Sequence, residues 1–291
     1  MFKRIIVITG LSADSDAFTS SLRNLRTLGS GECLLLRCLT GQETTDISFS
    51  YFTSVVEKNL QKQKEQLEEL GFKTESRILL GATANEINEI ALGEDYSLIV
   101  AGAKKQSLTI EVLFGSTAHS VIRSAKKPVL LLRPSANSKE PADPENAGEP
   151  YFNSHVLFPT DFSDNAAKAL DYVLEMAAAG VRKVTLLHIQ DKARISPQPD
   201  GRLREFNSID SDRLFDIKKR IQEKAAIPVD ILIKYGSPSA EILKSAKELN
   251  ATLVIMGTRG RGFVKELLMG SVSNHVAHLA DSSVLLIPLK S

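Results

Sequence analysis

Cysteine is nearly absent from the chain: 291 residues hold two, Cys33 and Cys38. Two thiols cannot staple a chain of this size, so the expected setting is a reducing cytoplasm. Charge of one sign is not in excess either. Thirty-six Lys and Arg face 35 Asp and Glu, a formal net charge of +1. A broad basic surface that wraps nucleic acid is therefore not expected, because that mode of binding rests on many cation–phosphate contacts. A local anion site stays open. No apolar run reaches the roughly 18 residues that suggest a membrane span, so no membrane partner is expected. The first such run, Ile5-Ile6-Val7-Ile8, gives way at once to Thr9-Gly10 and reads as a buried strand, not a secretory signal. What is present is an ordinary globular balance, 43% hydrophobic and 24% charged. The length suggests two domains at about 100–200 residues each.

Residues 135–150 stand apart. This stretch carries three prolines and four acids against one Lys, and it has no large apolar residue. It cannot bury a core and reads as an exposed linker between domains at 1–134 and 151–291. The two domains repeat. Ile5–Ser12 matches Val156–Ser163, and Leu35–Cys38 matches Leu186–Ile189, both at an offset of 151. From there on the offset is 155. Gly81–Ile87 falls on Gly236–Ile242, Leu98–Gly102 on Leu253–Gly257, Gly115-Ser116 on Gly270-Ser271, and Val129–Leu131 on Val284–Leu286.

Each half alternates short runs rich in Val, Ile and Leu with helical segments. In the second half the strands are expected near 154–160, 183–189, 229–234, 252–257 and 283–288. Runs apolar on both faces are the mark of buried parallel strands. Ser163-Asp164 offers an N-cap, Pro238 an early helical proline, and Gly270-Ser271 opens the last helix. The expected fold is α/β: two tandem Rossmann-like, doubly wound domains, each a five-stranded parallel sheet with helices on both faces. Ligands in such sheets bind beyond the carboxyl ends of the strands, near the point where strand order reverses.

One segment there carries chemistry. Met256-Gly257-Thr258-Arg259-Gly260-Arg261-Gly262 follows the fourth strand, and nine residues separate Gly260 from Gly270-Ser271-Val272-Ser273. Gly257 lets the chain leave the strand beside a ligand with no Cβ in the way. Gly260 allows a tight turn with positive φ. The Gly270–Ser273 segment offers backbone N–H groups at a helix start, where phosphate is favoured. Arg259, Arg261 and Lys265 add positive charge. The Gly-Lys-Ser/Thr of a Walker loop and the Gly-x-Gly-x-x-Gly of dinucleotide folds are both missing. A bland alternative is that these glycines only turn the chain and cap a helix. Asp161, just after the first strand, offers hydrogen-bond acceptors to a ribose or adenine donor, or else caps a helix.

These residues resemble the universal stress protein family. The resemblance is carried by Pro159-Thr160-Asp161-Phe162-Ser163, by Leu186-Leu187-His188-Ile189, and by the Gly257/Gly260/Gly270-Ser271 spacing. It spans both halves and looks like a tandem form of the ATP-binding branch. The resemblance implies an adenine-nucleotide-binding stress-response regulator, with ATP or AMP as ligand. Asp161 would hold adenine or ribose, and Ile189 would offer backbone to the adenine edge. Met256 and Gly257 would line the sugar, and Gly260, Gly270, Ser271, Val272 and Ser273 would hold phosphates. Thr160 and Arg259 complete the nucleotide-binding set. Family members pair through the last strand, so Val129–Leu132 and Val284–Ile287 are expected near an interface within the chain, with a homodimer as the further possibility. Protein partners are not named by the sequence.

The first half departs from this pattern. Gly10 stands where Asp161 stands, and Lys105 replaces the second glycine, so a degenerate domain is expected there. The enzymatic rival is a slow ATPase or autophosphorylating protein with Mg²⁺ or Mn²⁺ on the phosphates. No committed general base is seen, so no catalytic residue is assigned. The third reading is an interaction module without a ligand. Cys33 and Cys38 read as small hydrophobes and His188 as a packed residue. His275 and His278 read as helix-surface residues, not metal ligands.

Overall fold

The computed structural model describes residues 1–9, 15–39, 49–80, 84–102, 115–133, 154–191, 200–261 and 269–289. The Pro-rich segment 135–150, Gly10, Gly81, Lys104, Lys105, Gly262 and Lys265 lie outside them. The chain divides into two compact units, Met1–Pro150 and Tyr151–Ser291.

The first unit contains β1 (Arg4–Thr9), α1 (Ser15–Ser21), α2 (Asn24–Thr27), β2 (Glu32–Leu39), α3 (Phe49–Glu69), β3 (Lys73–Leu80), α4 (Ala84–Gly93), β4 (Leu98–Gly102), α5 (Gly115–Ser124) and β5 (Val129–Leu132). The second contains β6 (Val156–Pro159), α6 (Asp164–Ala178), β7 (Val184–Asp191), α7 (Asp200–Lys224), β8 (Val229–Gly236), α8 (Pro238–Glu248), β9 (Leu253–Gly257), α9 (Ser271–Leu279) and β10 (Ser283–Ile287). Strand order is β3-β2-β1-β4-β5 in the first and β8-β7-β6-β9-β10 in the second, and neighbours run parallel. The strands are the apolar runs, and the central ones, Ile5–Val7, Leu98–Val100, Val156–Phe158 and Leu253–Ile255, are shut off from solvent. Right-handed crossovers from β6 through β8 put α6 and α7 on one face, and those from β8 through β10 put α8 and α9 on the other. Each unit is therefore a doubly wound five-stranded parallel sheet. β7 and β8 run on to Asp191 and Gly236, two residues beyond the apolar runs that mark them in the sequence.

The repeat reaches into the helix ends. Gly29 and Gly180, 151 apart, have φ of 86 and 105. Asp95 and Asn250, 155 apart, have φ of 53 and 48 just after α4 and α8. Tyr96 N–H donates to Ala91 O (3.0 Å) and Ala251 N–H to Ala246 O (2.9 Å). This is the left-handed helix stop, in which Asn and Asp serve in place of glycine.

At the amino end of β6, His155 is buried with both ring nitrogens engaged. Nδ1 lies 3.1 Å from Leu249 O and Nε2 lies 2.7 Å from Thr185 Oγ1. A carbonyl only accepts, so Nδ1 carries the hydrogen and Nε2 accepts from the Thr185 hydroxyl. The neutral ring satisfies both partners. Burial, opposed by the Leu249 carbonyl, holds the imidazole below the usual histidine value. The folded chain thus binds this proton less readily than the unfolded chain. The contribution to stability is complete above the unfolded value of about 6.5 and falls as pH drops from there through the lowered folded value. We expect the urea midpoint of the parent to fall between about pH 7.5 and pH 5.5. His155→Asn keeps a donor for Leu249 O but has no proton to gain, and should show a flatter profile. Equal pH dependence in the two proteins would contradict this assignment.

Candidate functional site

In the second unit, β7 and β8 lie on one side of β6, and β9 and β10 on the other. Strand order therefore reverses between β6 and β9, and the crevice opens beyond their carboxyl ends. Residues after β6, β7 and β9, and the start of α9, supply it.

The turn after β6 is fixed by its own side chains. Thr160 is buried, and its Oγ1 accepts Phe162 N–H at 3.1 Å. Phe162 takes a φ of 58, unusual for an aromatic residue. Asp161 Oδ1 accepts Ser163 N–H (3.1 Å), and its Oδ2 accepts Arg261 N–H (2.9 Å) from the loop after β9. Capping of α6 falls to Ser163, whose Oγ accepts Ala166 N–H at 3.3 Å. The capping alternative for Asp161 thus gives way to another role, that of tying the two loops that border the crevice.

A second tie comes from a residue to which the sequence reading assigned nothing. Asn165, on the first turn of α6, is 3% exposed. Its Oδ1 accepts Arg259 N–H (2.9 Å) and its Nδ2 donates to Ile287 O (3.0 Å). The glycines stand opposite these two side chains. A Cβ on Gly257 would lie 2.7 Å from Asn165 Cγ, and one on Gly260 would lie 2.6 Å from Asp161 Oδ2. Gly260 does not have the positive φ expected of it. It is glycine because a carboxylate occupies the space of its side chain. Gly257 likewise makes room for a buried amide.

The start of α9 is drawn against this loop. Gly270 N–H donates to Thr258 O (2.8 Å), and the Ser273 hydroxyl donates to the same oxygen (2.7 Å). Gly270 N–H and the Ser273 hydroxyl, both offered by the sequence as donors, are thus engaged within the protein. The N–H groups of Ser271, Val272 and Ser273 are the first three of the helix and have no intrahelical acceptor. Ser271 is exposed, Val272 half-buried and Ser273 buried. Met256 is buried within β9 at 6% exposure. Arg261 of the loop, with Arg213 of α7, lies over the Phe162 ring, guanidinium carbons 5.8 and 5.3 Å from its centroid.

β7 contributes backbone. Thr160 N–H donates to Leu187 O (2.9 Å), so Leu187 turns its backbone groups toward β6. Ile189, two residues on, turns its own groups the same way, beyond Pro159, where β6 has ended. His188, between them, is buried against Phe162 with ring centroids 4.7 Å apart. Its Nδ1 donates to Thr160 O (2.8 Å) and its Nε2 lies 3.3 Å from Asp210 Oδ2. Gln190 Nε2 donates to Asp210 Oδ2 (3.1 Å) and Asn207 Oδ1 (2.8 Å). The described residues thus bring Thr160, Asp161, Arg259, Gly270 and Ser273 into hydrogen-bonded loops beyond β6 and β9, with Gly260 packed against Asp161 and Ile189 at the edge. The signal for His188 was a polar residue inside an apolar strand, since a buried polar group must find partners.

Other candidates fall elsewhere. His278 is buried, its Nδ1 2.7 Å from Asn274 O, whereas His275 is exposed; the helix-surface reading fits His275 alone. Cys33 and Cys38 are buried, and burial pushes their thiols up to about 12 and about 11. A groove of about 390 Å³, lined by Glu57, Leu60, Gln61, Ser76 and Ile78 of the first unit, shares no residue with these loops.

Comparison with known proteins gives a consistent result. The family model described as "Universal stress protein family" matches residues 1–133 and again residues 153–288. A universal stress protein of Bacillus subtilis is 29% identical over 143 residues, 45% of this chain and 97% of its own. One from Methanocaldococcus jannaschii is 28% identical over 155 residues, 47% of this chain and 95% of its own. Each relative therefore has the length of a single unit. The crystal structure of a universal stress protein from Archaeoglobus fulgidus covers the whole of this chain at a TM-score of 0.71 and 22% identity, which shows the fold.

Proposed function

Because the chain belongs to the universal stress protein family, in tandem form, we propose that its second unit binds an adenine nucleotide, ATP or AMP, and that the protein acts as a nucleotide-dependent stress-response regulator. The observation that carries this reading is the start of α9. Three successive backbone N–H groups there stand at the positive end of a helix dipole, tied to the glycine loop through Thr258 O. Such an end favours phosphate. Ser271, Val272 and Ser273 hold phosphate through their backbone, beside Gly270 and the Arg259–Gly260 stretch. Asp161 retains acceptor capacity for a ribose hydroxyl, because a carboxylate has about four lone-pair directions and two are in use. Thr160, Met256 and Gly257 flank the sugar, and Ile189 presents backbone to the base.

Among the described residues no group of three or more His, Cys, Asp or Glu could hold a metal ion by itself, so Mg²⁺ or Mn²⁺ would be held chiefly by the phosphates of the nucleotide.

The first unit supports one site per chain. Gly10 and Lys105 lie outside the described residues, but Gly102, the match of Gly257, faces the Phe18 ring, where a Cβ would lie 3.2 Å from the ring edge. Gly102 thus faces an apolar ring where Gly257 faces the Asn165 amide. Mass spectrometry of the denatured protein should detect AMP or ATP, and calorimetric titration of nucleotide-stripped protein should give a stoichiometry near one. No binding of either nucleotide would sink the reading, and two equal sites would sink its restriction to the second unit.

A further inference from the structure

The β6–β7 ladder stops at a point that its register does not require. Pairs run from Val156↔Val184 to Pro159↔Leu187, and Thr160 N–H still donates to Leu187 O. The parallel pattern would next bring Ile189 N–H to Thr160 O. Thr160 lies outside the strand, however, and its carbonyl oxygen accepts His188 Nδ1 at 2.8 Å.

We propose that His188 is a positioning residue that ends the ladder: its imidazole takes the carbonyl of Thr160 and so leaves the Ile189 N–H turned into the crevice for a ligand. The inference rests on the nucleotide reading for the identity of that ligand, the edge of a planar base that carries a hydrogen-bond acceptor. Its geometric part stands by itself.

Several groups hold the ring in place. A carbonyl only accepts, so Nδ1 bears the hydrogen. Asp210 Oδ2 stands 3.3 Å from Nε2, and Gln190 Nε2 steadies that carboxylate at 3.1 Å. The Phe162 ring covers the imidazole at 4.7 Å between centroids, tilted by 36°. Phe162 reaches that position with a φ of 58. The ring therefore substitutes for a backbone donor, and α7 braces it from the far side.

The test is amide hydrogen exchange resolved to Ile189 in the full chain without nucleotide, with ATP titration alongside. In His188→Leu the Thr160 carbonyl has no side-chain donor, so the ladder should advance by one bond. The Ile189 amide should then exchange more slowly than in the parent, by about tenfold or more for one new backbone bond, and ATP affinity should fall about tenfold or more. His188→Asn, whose amide nitrogen sits where Nδ1 does, should restore both. Should His188→Leu fail to fold, His188→Gln, whose amide nitrogen matches Nε2 instead, should show the same slowed exchange. An Ile189 amide that exchanges as fast as in the parent, or faster as simple loosening would give, overturns the proposal. Slowed exchange with unchanged ATP affinity overturns its link to the ligand. A parent that binds no nucleotide sinks the function proposed above, whereas the Ile189 amide still decides the role of His188.

Discussion

Gly270→Glu is expected to abolish ATP binding while the protein stays folded. Gly270 is the N-cap of α9 with φ −71 and ψ 153, a conformation open to any residue. An added Cβ would lie 3.2 Å from Thr258 O and 3.5 Å from Ser273 Oγ, so the loop must give by a few tenths of an ångström. The side chain would then place a carboxylate where the Ser271–Ser273 amides are proposed to receive phosphate. Like charges about 4 Å apart at an effective dielectric near 20 repel by about 4 kcal/mol. Screening at this partly exposed helix end reduces that, and a loss of affinity of about a hundredfold or more remains. Gly270→Gln separates size from charge: it should weaken binding by about tenfold only. The check is nucleotide titration beside a thermal melt. If Gly270→Glu melts normally and binds ATP as the parent does, the phosphate does not sit at this helix start.

Gly257→Ala should be the costliest single methyl in the second unit, and the loss should show in the melt. Its Cβ would lie 2.7 Å from Asn165 Cγ, 2.9 Å from Asn165 Oδ1 and 3.1 Å from the Asn165 backbone carbon. The side chain has no exit, because Asn165 is buried and holds Arg259 N–H and Ile287 O. Overpacking costs about 1–3 kcal/mol, and a buried amide with lost partners about 1–3 more. A fall in Tm of roughly 5–15 °C follows. Gly260→Ala meets Asp161 Oδ2, the end of a half-buried side chain that can swing aside. It should leave the melt within a few degrees of the parent and lose nucleotide affinity through the broken tie to Arg261. Equal melts for the two alanine variants would show that Asn165 does not anchor the loop.

The strands, the repeat and the positions of the glycines were legible because they depend on local pattern. Apolar runs of strand length and a fixed offset need no knowledge of the fold. The causes behind the glycines were not legible. Asn165 meets Arg259 across 94 residues of chain and Asp161 meets Arg261 across 100, and no local propensity marks such pairs. The sequence therefore suggests for Gly260 a turn conformation that it does not adopt. His188 lay between these cases. Its polarity inside Leu186-Leu187-His188-Ile189 announced a need for partners, but the register that makes Thr160 O the partner exists only in the sheet. His155 and Thr185 carry the same signal at the other end of the strands, and their pairing too exists only in the sheet.

The helix stops at Gly29 and Gly180, and at Asp95 and Asn250, recur in both units, although the glycine ending the fourth strand faces the Phe18 ring in the first and the Asn165 amide in the second. The features repeated in both units sit where helices end; the residues proposed to bind nucleotide in the second sit where strands stop. A duplicated unit thus keeps its helix stops, while the ends of its strands are where the two copies have come to differ.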